Sequence, residues 1–272
     1  MMMIDHWIAH LLFKRNSTCA LPRVDIPDSK VDSWSMEPNS PQDKAKRAAG
    51  VQAIATYLKN GMKIGLGSGT TSRWFIQVLG DRVKEGLEVI GVPTSNSTRD
   101  LATQLGVPLA DLNDVGVLDL AIDGADEIDA NGRMIKGGGG NLLWEKIIAC
   151  ASMKMVALVD ESKVVSKLGK FPLPVEVIPF GWRTTESHLK RLFSDFGWTD
   201  VPIKVRGGLQ TPLITDSGHY LLDCELGEIG DPDGVALKLN QIPGVVDHGL
   251  FIGIAKEVVI GHADGSADVR AF

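Results

Sequence analysis

The stretch Met62–Gly80, MKIGLGSGTTSRWFIQVLG, changes periodicity across a glycine-rich hinge. Its first five residues, MKIGL, form a short apolar run with turn signals on both sides, the pattern of a buried strand. GSGTTS reads as a turn, and SRWFIQVLG as a helix ending near Gly80. Gly67 and Gly69 permit close backbone approach, while Ser68, Thr70, Thr71 and Ser72 supply hydroxyls. The helix behind them presents free N–H groups and the positive end of its dipole, which together attract an anion. No GK[ST] follows, and Thr70 breaks a GxGxxG spacing, so a nucleotide motif fits poorly. A compact phosphate cradle and a plain strand-to-helix turn remain equal readings of this segment.

The same alternation continues outward. Upstream, Ala45, Ala48, Ala49, Ile54, Ala55 and Leu58 recur at helical spacing. Downstream, LEVIGVP reads as a strand, STRDLATQLG as a helix, LDLAIDGAD as a strand, NLLWEKIIACAS as a helix and KMVALVD as a strand. Near-continuous apolar strands alternating with helices indicate a parallel sheet covered on both faces. The pattern changes near Phe171, where prolines enter KFPLPVEVIPFGW. IKVRGG, PLITDSGHYLLDCEL and GVVDHGLFIG then read as a small antiparallel α+β unit, and EVVIG rejoins the first sheet.

The chain has 272 residues, 44% of them hydrophobic, and a formal net charge of -6. A substantial core is possible, whereas a general nucleic-acid binder would carry a basic excess. Cys19, Cys150 and Cys224 have no metal-site or disulfide spacing, and Cys150 reads as a small buried hydrophobe. A reducing, cytoplasmic setting fits, and no apolar run is long enough for a bilayer. Residues 1–40 are polar and proline-bearing, which predicts a disordered extension, with Met36 a candidate initiator.

Three further stretches carry chemistry. DGADEID, Asp123–Asp129, follows a buried strand at the edge where open parallel sheets bind ligands. Carboxylates there must pair, hydrogen-bond or react. A magnesium site at Asp123 and Asp126 and metal-free work on a neutral polar substrate both stay open, and Glu127 and Asp129 read mainly as a surface acidic turn. In IKGGGGNLLWEKI, Asn141 is a candidate N-cap. A capping box would place its acid at 144, which is Trp144, so capping does not account for Glu145. Glu145 near an apolar wall would have a raised pKa and serve as a base; a solvated surface glutamate is the equal alternative. Lys146 reads as a solvated partner. In DESKVVSKLGKFPLPVEV, only Lys163 sits where the cleft is expected.

In this order, GLGSGTTS, DGADEID, KGGGGNLLWEK, DESKVVSKLGKFPLPVEV and IPGVVDHGLF resemble ribose-5-phosphate isomerase of the A type, from about Gln42 to Phe272. The resemblance implies an α/β fold with a Rossmann-like parallel-sheet domain, 41–172 and 250–272, and a smaller ferredoxin-like α+β domain, 173–249. It implies interconversion of D-ribose 5-phosphate and D-ribulose 5-phosphate through a cis-enediolate in the pentose phosphate pathway. No cofactor or metal is expected, and neither a nucleic-acid nor a membrane partner. A homodimer or homotetramer is expected. Carried over by motif, Ser68, Gly69, Thr70, Thr71, Asp123, Gly124, Ala125, Asp126, Lys136, Gly137, Gly138 and Gly139 line the substrate site, with Asp123 and Asp126 expected to open the sugar ring and shuttle hydroxyl protons and Lys136 to stabilise the oxyanion. Glu145 matches the proton acceptor, Lys163 a further substrate contact, and Lys46 a lysine near the phosphate. Asn141 and His219 depart from the family pattern at positions outside the proposed chemistry. An amino-sugar phosphate deaminase, a CoA transferase or a non-catalytic sugar-phosphate sensor would be the competing functions.

Overall fold

The computed structural model describes residues 37–272. The expected extension, Met36 and Cys19 therefore lie outside the described residues, except that Ser40 caps the first helix, α1 (Pro41–Tyr57). Strand β1 (Met62–Leu66) has the expected bounds. Helix α2 (Gly69–Lys84) runs past Gly80, which was expected to end it. Gly80 serves close packing instead. A Cβ there would lie 2.8 Å from the Cβ of Leu105, at the end of the next helix. Then follow β2 (Val89–Pro93), α3 (Asn96–Gln104), the short α4 (Leu112–Val115) and β3 (Leu120–Gly124). Two brief strands, β4 (Glu127–Ile128) and β5 (Met134–Ile135), precede α5 (Leu142–Cys150) and β6 (Met155–Asp160).

The second half begins with β7 (Leu173–Val177), α6 (Trp182–Asp195), β8 (Ile203–Val205), β9 (Tyr220–Cys224), α7 (Pro232–Leu239) and β10 (Val245–His248). It ends with β11 (Leu250–Phe251), β12 (Ala255–Gly261) and β13 (Ala267–Ala271). The main sheet has the order β13-β12-β6-β3-β1-β2. All its pairs are parallel except β12 with β13. The second sheet, β10-β7-β9-β8, is antiparallel throughout. Its βαββαβ connectivity is ferredoxin-like, as expected. A third small sheet, β11-β5-β4, is built from the chain between β3 and β6 and from the chain between β10 and β12.

Alternation along β6 shows how the main sheet is covered. Val156 and Leu158 pack with Ala49, Phe75, Ile76 and Leu79 from α1 and α2. Met155, Ala157 and Val159 pack with Leu142, Ile148 and Ala149 from α5. A period of two thus feeds helices on opposite faces, as a doubly covered parallel sheet requires. In the second sheet, Leu173, Val175, Val177 and Leu222 pack with Leu189, Phe193, Val235 and Leu239 from α6 and α7. Cys224 is in that core, but Cys150 is exposed, against expectation. It ends α5 on the same outward stripe as exposed Ile147, three residues earlier. No described helix is long and apolar enough to cross a membrane.

His248 closes β10 as a buried, fully bonded imidazole. Its Nδ1 accepts from Leu250 N–H at 3.2 Å, and Nε2 donates to Ala236 O at 3.1 Å. Burial, reinforced by the nearby Lys146 charge, lowers its pKa from 6.5 to about 3. The unfolded chain takes up this proton first, so His248 costs stability as pH falls from about 6.5 towards 3. Urea unfolding across that window is expected to give a flatter pH slope for His248→Leu than for the parent. His248→Leu is also expected to be less stable at pH 7, because Leu250 N–H and Ala236 O lose their partner. An unchanged slope would remove His248 from the acid response.

Candidate active site

Strand order reverses at β1, which has β2 on one side and β3 on the other. The crevice at the carboxyl ends of β1 and β3 is therefore the topological switch point where such sheets bind ligands. Gly67 and Ser68 leave β1 there and lead into α2. Ser68 occupies the N-cap position of α2 without a side-chain cap bond. Its Oγ lies 2.6 Å from Thr94 Oγ1, 2.8 Å from Ser95 Oγ and 3.1 Å from Thr98 Oγ1. These hydroxyls satisfy one another beneath the turn. The first-turn N–H groups of α2, which no helix can satisfy internally, remain for a ligand. Lys46 reaches the same turn from α1, its Nζ donating to Thr70 Oγ1 at 3.0 Å.

Asp123, 3% exposed, stands at the end of β3. Its Oδ1 accepts from Ser68 N at 3.0 Å, Ser72 Oγ at 3.1 Å and Gly124 N at 2.7 Å. Its Oδ2 lies 3.0 Å from Lys136 Nζ, and Glu145 Oε2 lies 3.2 Å from the same ammonium. Lys136 is 2% and Glu145 5% exposed, so this carboxylate–ammonium–carboxylate group is buried. The ammonium donates to Gly124 O at 2.5 Å and lies over the Phe251 ring. Neither Asp123 Oδ2 nor Glu145 Oε2 has a hydrogen bond of good geometry among the described residues. Among the described residues each of these oxygens faces the Lys136 ammonium and no other donor.

Burial sets the protonation of this group. It raises the Glu145 pKa from 4.5 to about 8; Asp123 adds to the rise and Lys136 opposes it. Burial alone would lower the Lys136 pKa, but Asp123 and Glu145 outweigh it, so the ammonium stays charged. The result is a carboxyl group poised near neutral pH beside a permanent cation, an arrangement suited to moving a proton.

Four glycines join Lys136 to α5. Gly137 has φ 105° and Gly140 φ 86°, conformations that L side chains rarely adopt. At Gly138 a Cβ would meet Asp126 Oδ1 at 2.6 Å, whereas Gly139 has room for one. Gly138 N–H donates to Asp126 Oδ2 at 2.7 Å. Asn141 stands at the N-cap position of α5, but its side chain donates to Gly139 O at 3.2 Å instead of capping. Arg206, from the second sheet, donates from Nη1 to Gly137 O at 2.6 Å and Gly138 O at 3.2 Å.

The cleft so formed is small and open to solvent. Ser68, Gly69, Thr70, Thr71, Gly124, Ala125, Asp126, Lys136, Gly137, Gly138, Gly139, Glu145 and Lys163 line it. Of the residues singled out from sequence, Asp123 lies behind the wall and Lys46 touches it through Thr70. Glu127 and Asp129 are buried, contrary to a surface acidic turn. Glu127 accepts from Gly169 N and Phe171 N, both at 2.6 Å, and Asp129 accepts from Arg133 Nε at 2.7 Å. Lys146 is not solvated but ion-paired to Asp247, and it donates to His248 O at 2.6 Å. Sequence reading missed Thr94, Ser95 and Thr98, although PTSNST follows β2 at the same sheet edge. It also missed Arg206, for which no local motif exists. Among the described residues no cluster of three or more His, Cys, Asp or Glu side chains is arranged to hold a metal ion.

A helix N-terminus suited to phosphate, set beside a buried acid–base group, defines a proton-transfer site for a small phosphorylated molecule. Comparison with known proteins narrows the class. The family model described as ribose 5-phosphate isomerase A (phosphoriboisomerase A) matches residues 90–265. Ribose-5-phosphate isomerase A of Parvibaculum lavamentivorans is 48% identical over 229 residues, covering 84% of this chain and 99% of that protein. Ribose 5-phosphate isomerase from Plasmodium falciparum superposes with a TM-score of 0.79 at 31% identity, covering 84% of this chain and 98% of the other. A D-ribose-5-phosphate isomerase solved in complex with phospho-erythronic acid gives 0.78 at 36% identity, with 85% and 99% covered. The chain belongs to the ribose 5-phosphate isomerase A family.

Proposed function

We propose that the chain interconverts D-ribose 5-phosphate and D-ribulose 5-phosphate, with Glu145 carrying the proton between C2 and C1. The observation that carries this reading is the buried Glu145 carboxyl group in the cleft wall, 3.2 Å from the Lys136 ammonium. In the aldose-to-ketose direction Glu145 takes the C2 proton, and electron density moves onto the C1 carbonyl oxygen, giving a cis-enediolate. Lys136 and the glycine N–H groups stabilise that oxyanion; one preorganised donor of this kind contributes about 3 kcal/mol. Glu145 then returns the proton to C1 while the O2 proton passes to O1. Asp126, whose side chain lines the cleft, is the better placed carboxylate for ring opening and the hydroxyl-proton transfer. Asp123, held by three donors and Lys136, is suited to fixing the ammonium. The phosphate binds at Gly69–Thr71 with Lys46 and Lys163 at hand, and its binding energy orients the reacting carbons.

In this reading 41–172 with 250–272 is the catalytic domain, and 173–249 is a small domain that braces the glycine loop. The enzyme works in the cytoplasm, in the pentose phosphate pathway, as the homodimer or homotetramer that the family resemblance implies; light scattering measures the copy number. The direct test is ketose formation from ribose 5-phosphate by purified protein across pH. Because the base acts ionised and its pKa is raised to about 8, kcat/KM is expected to climb with pH into that region. Absence of ketose would reject the function. Full activity down to pH 5 would reject a Glu145 base with a raised pKa.

A further inference from the structure

We propose that Arg206 is a positioning residue for the acid–base site. By holding the carbonyls of Gly137 and Gly138, it aims the N–H groups of Gly138 and Gly139 into the cleft and sets Asp126. This rests on the reading of the cleft as an isomerase site.

Arg206 directly follows β8 and is fixed at several points. Its N–H donates to Leu221 O at 2.9 Å, and its carbonyl accepts from Leu213 N at 2.8 Å. One edge of the guanidinium forks onto Asp223 of β9. Nε donates to Oδ2 at 2.9 Å, and Nη2 donates to Oδ1. The side chains of Arg206 and Asp223 are only 15% and 23% exposed, so this pair is shielded and its geometry is held. That leaves Nη1 for the two glycine carbonyls.

Clamping those carbonyls has a geometric consequence. A trans peptide is planar, with its C=O and the following N–H on opposite sides. Holding Gly137 O therefore sends Gly138 N–H the other way, where it donates to Asp126 Oδ2 at 2.7 Å. Holding Gly138 O likewise turns Gly139 N–H away from Arg206. Among the described residues this N–H has no partner, and Gly139 is exposed in the cleft wall. It is a donor left free for a ligand oxygen. Successive glycines have the widest backbone freedom, so fixing them costs the most conformational entropy. A clamp from the turn after β8 holds them ordered before substrate arrives. Preordered donors stabilise a developing charge without reorganising. Lysine cannot replace the clamp, because one ammonium cannot fork onto Asp223 and span both carbonyls.

Arg206→Lys tests this while keeping the positive charge. Thermal melting checks that the variant is folded. Its kcat is expected to fall about 10–100-fold, with KM within about threefold of the parent, as a small misplacement at a site does. Two probes separate orientation from general damage. Inorganic phosphate reports the α2 turn, and phospho-erythronic acid reports that turn together with the oxyanion end. Phospho-erythronic acid is expected to weaken about 10-fold or more with phosphate affinity unchanged. Asp223→Asn, which loosens the fork but keeps Arg206, is expected to shift both readouts the same way and less. Parental kcat in folded Arg206→Lys, or equal weakening of both probes, overturns the proposal. If Arg206→Lys does not fold, parental kcat in Asp223→Asn overturns it. Parent protein without isomerase activity would instead reject the reading of the site, so the two failures are distinct.

Discussion

Glu145→Gln is expected to lower kcat by about 10²–10⁴-fold, about 3–5 kcal/mol of barrier, while KM changes little. Glutamine keeps the size and hydrogen-bonding reach of the side chain but cannot take a proton from carbon. The same change is expected to make the protein more stable above neutral pH. In the unfolded chain Glu145 loses its proton near 4.5, and in the folded protein near 8. Between these values the folded state binds the extra proton, so stability falls as pH rises, and above about 8 the full cost of the buried charge is present. That raised pKa already includes the attraction of Lys136, so the ionised base is a net burden on the fold. Removing it is expected to raise the melting temperature at pH 9 by several degrees, corresponding to roughly 2 kcal/mol, and by less at pH 6. Stopped ketose formation together with a pH-dependent rise in melting temperature identifies Glu145 as a base held at the expense of stability. A variant with parental turnover ends that assignment. A fall in melting temperature at pH 9 would show that the carboxylate stabilises the fold.

The parts of the fold that were legible in the sequence are those with local causes. β1 was readable because an apolar run between turn signals has few other solutions, and its end at Leu66 placed the hinge correctly. The glycine run was readable as a site because four helix- and strand-weakening residues between Lys136 and Glu145 lack a local purpose. The structure assigns them separate tasks: positive φ at 137 and 140, and close approach to Asp126 at 138. Gly80 was misread because a glycine after a helical pattern looks like a C-cap. Its purpose is contact with Leu105, which single-helix periodicity does not reveal. Glu127 was misread for a similar reason: the backbone donors that justify burying it lie more than forty residues away, at Gly169 and Phe171, whereas those of Asp129 are local, at Asn131 and Arg133. Arg206 was not legible, since its partners are distant in sequence: Asp223 on the neighbouring strand of its own sheet and the carbonyls of the glycine run.

Lys136→Met is expected to be the most damaging single change, because it acts on folding and on chemistry through the same atoms. Methionine fills similar space beneath Phe251 but leaves Asp123 and Glu145 facing each other, buried, without a cation. Breaking a buried ion pair from one side costs about 3–5 kcal/mol. The fold can reduce that cost by keeping Glu145 protonated to still higher pH, which removes the base when it is needed. Loss of the oxyanion donor adds about 10²–10³-fold in kcat. The expected result is a lowered melting temperature, a kcat reduced by at least that factor at pH 7, and an acid limb of kcat/KM moved to higher pH. The double variant Lys136→Met with Glu145→Gln separates these effects. With Glu145 neutral, Asp123 no longer faces a second buried carboxylate across the lost ammonium, so at pH 9 the double variant is expected to melt above Lys136→Met by more than Glu145→Gln raises the parent. That non-additivity follows only if the two side chains share one electrostatic group. A gain from Glu145→Gln that is the same with and without Lys136, or an acid limb left at its parental position in Lys136→Met, would separate Lys136 from Glu145 and remove it from the proton-transfer machinery.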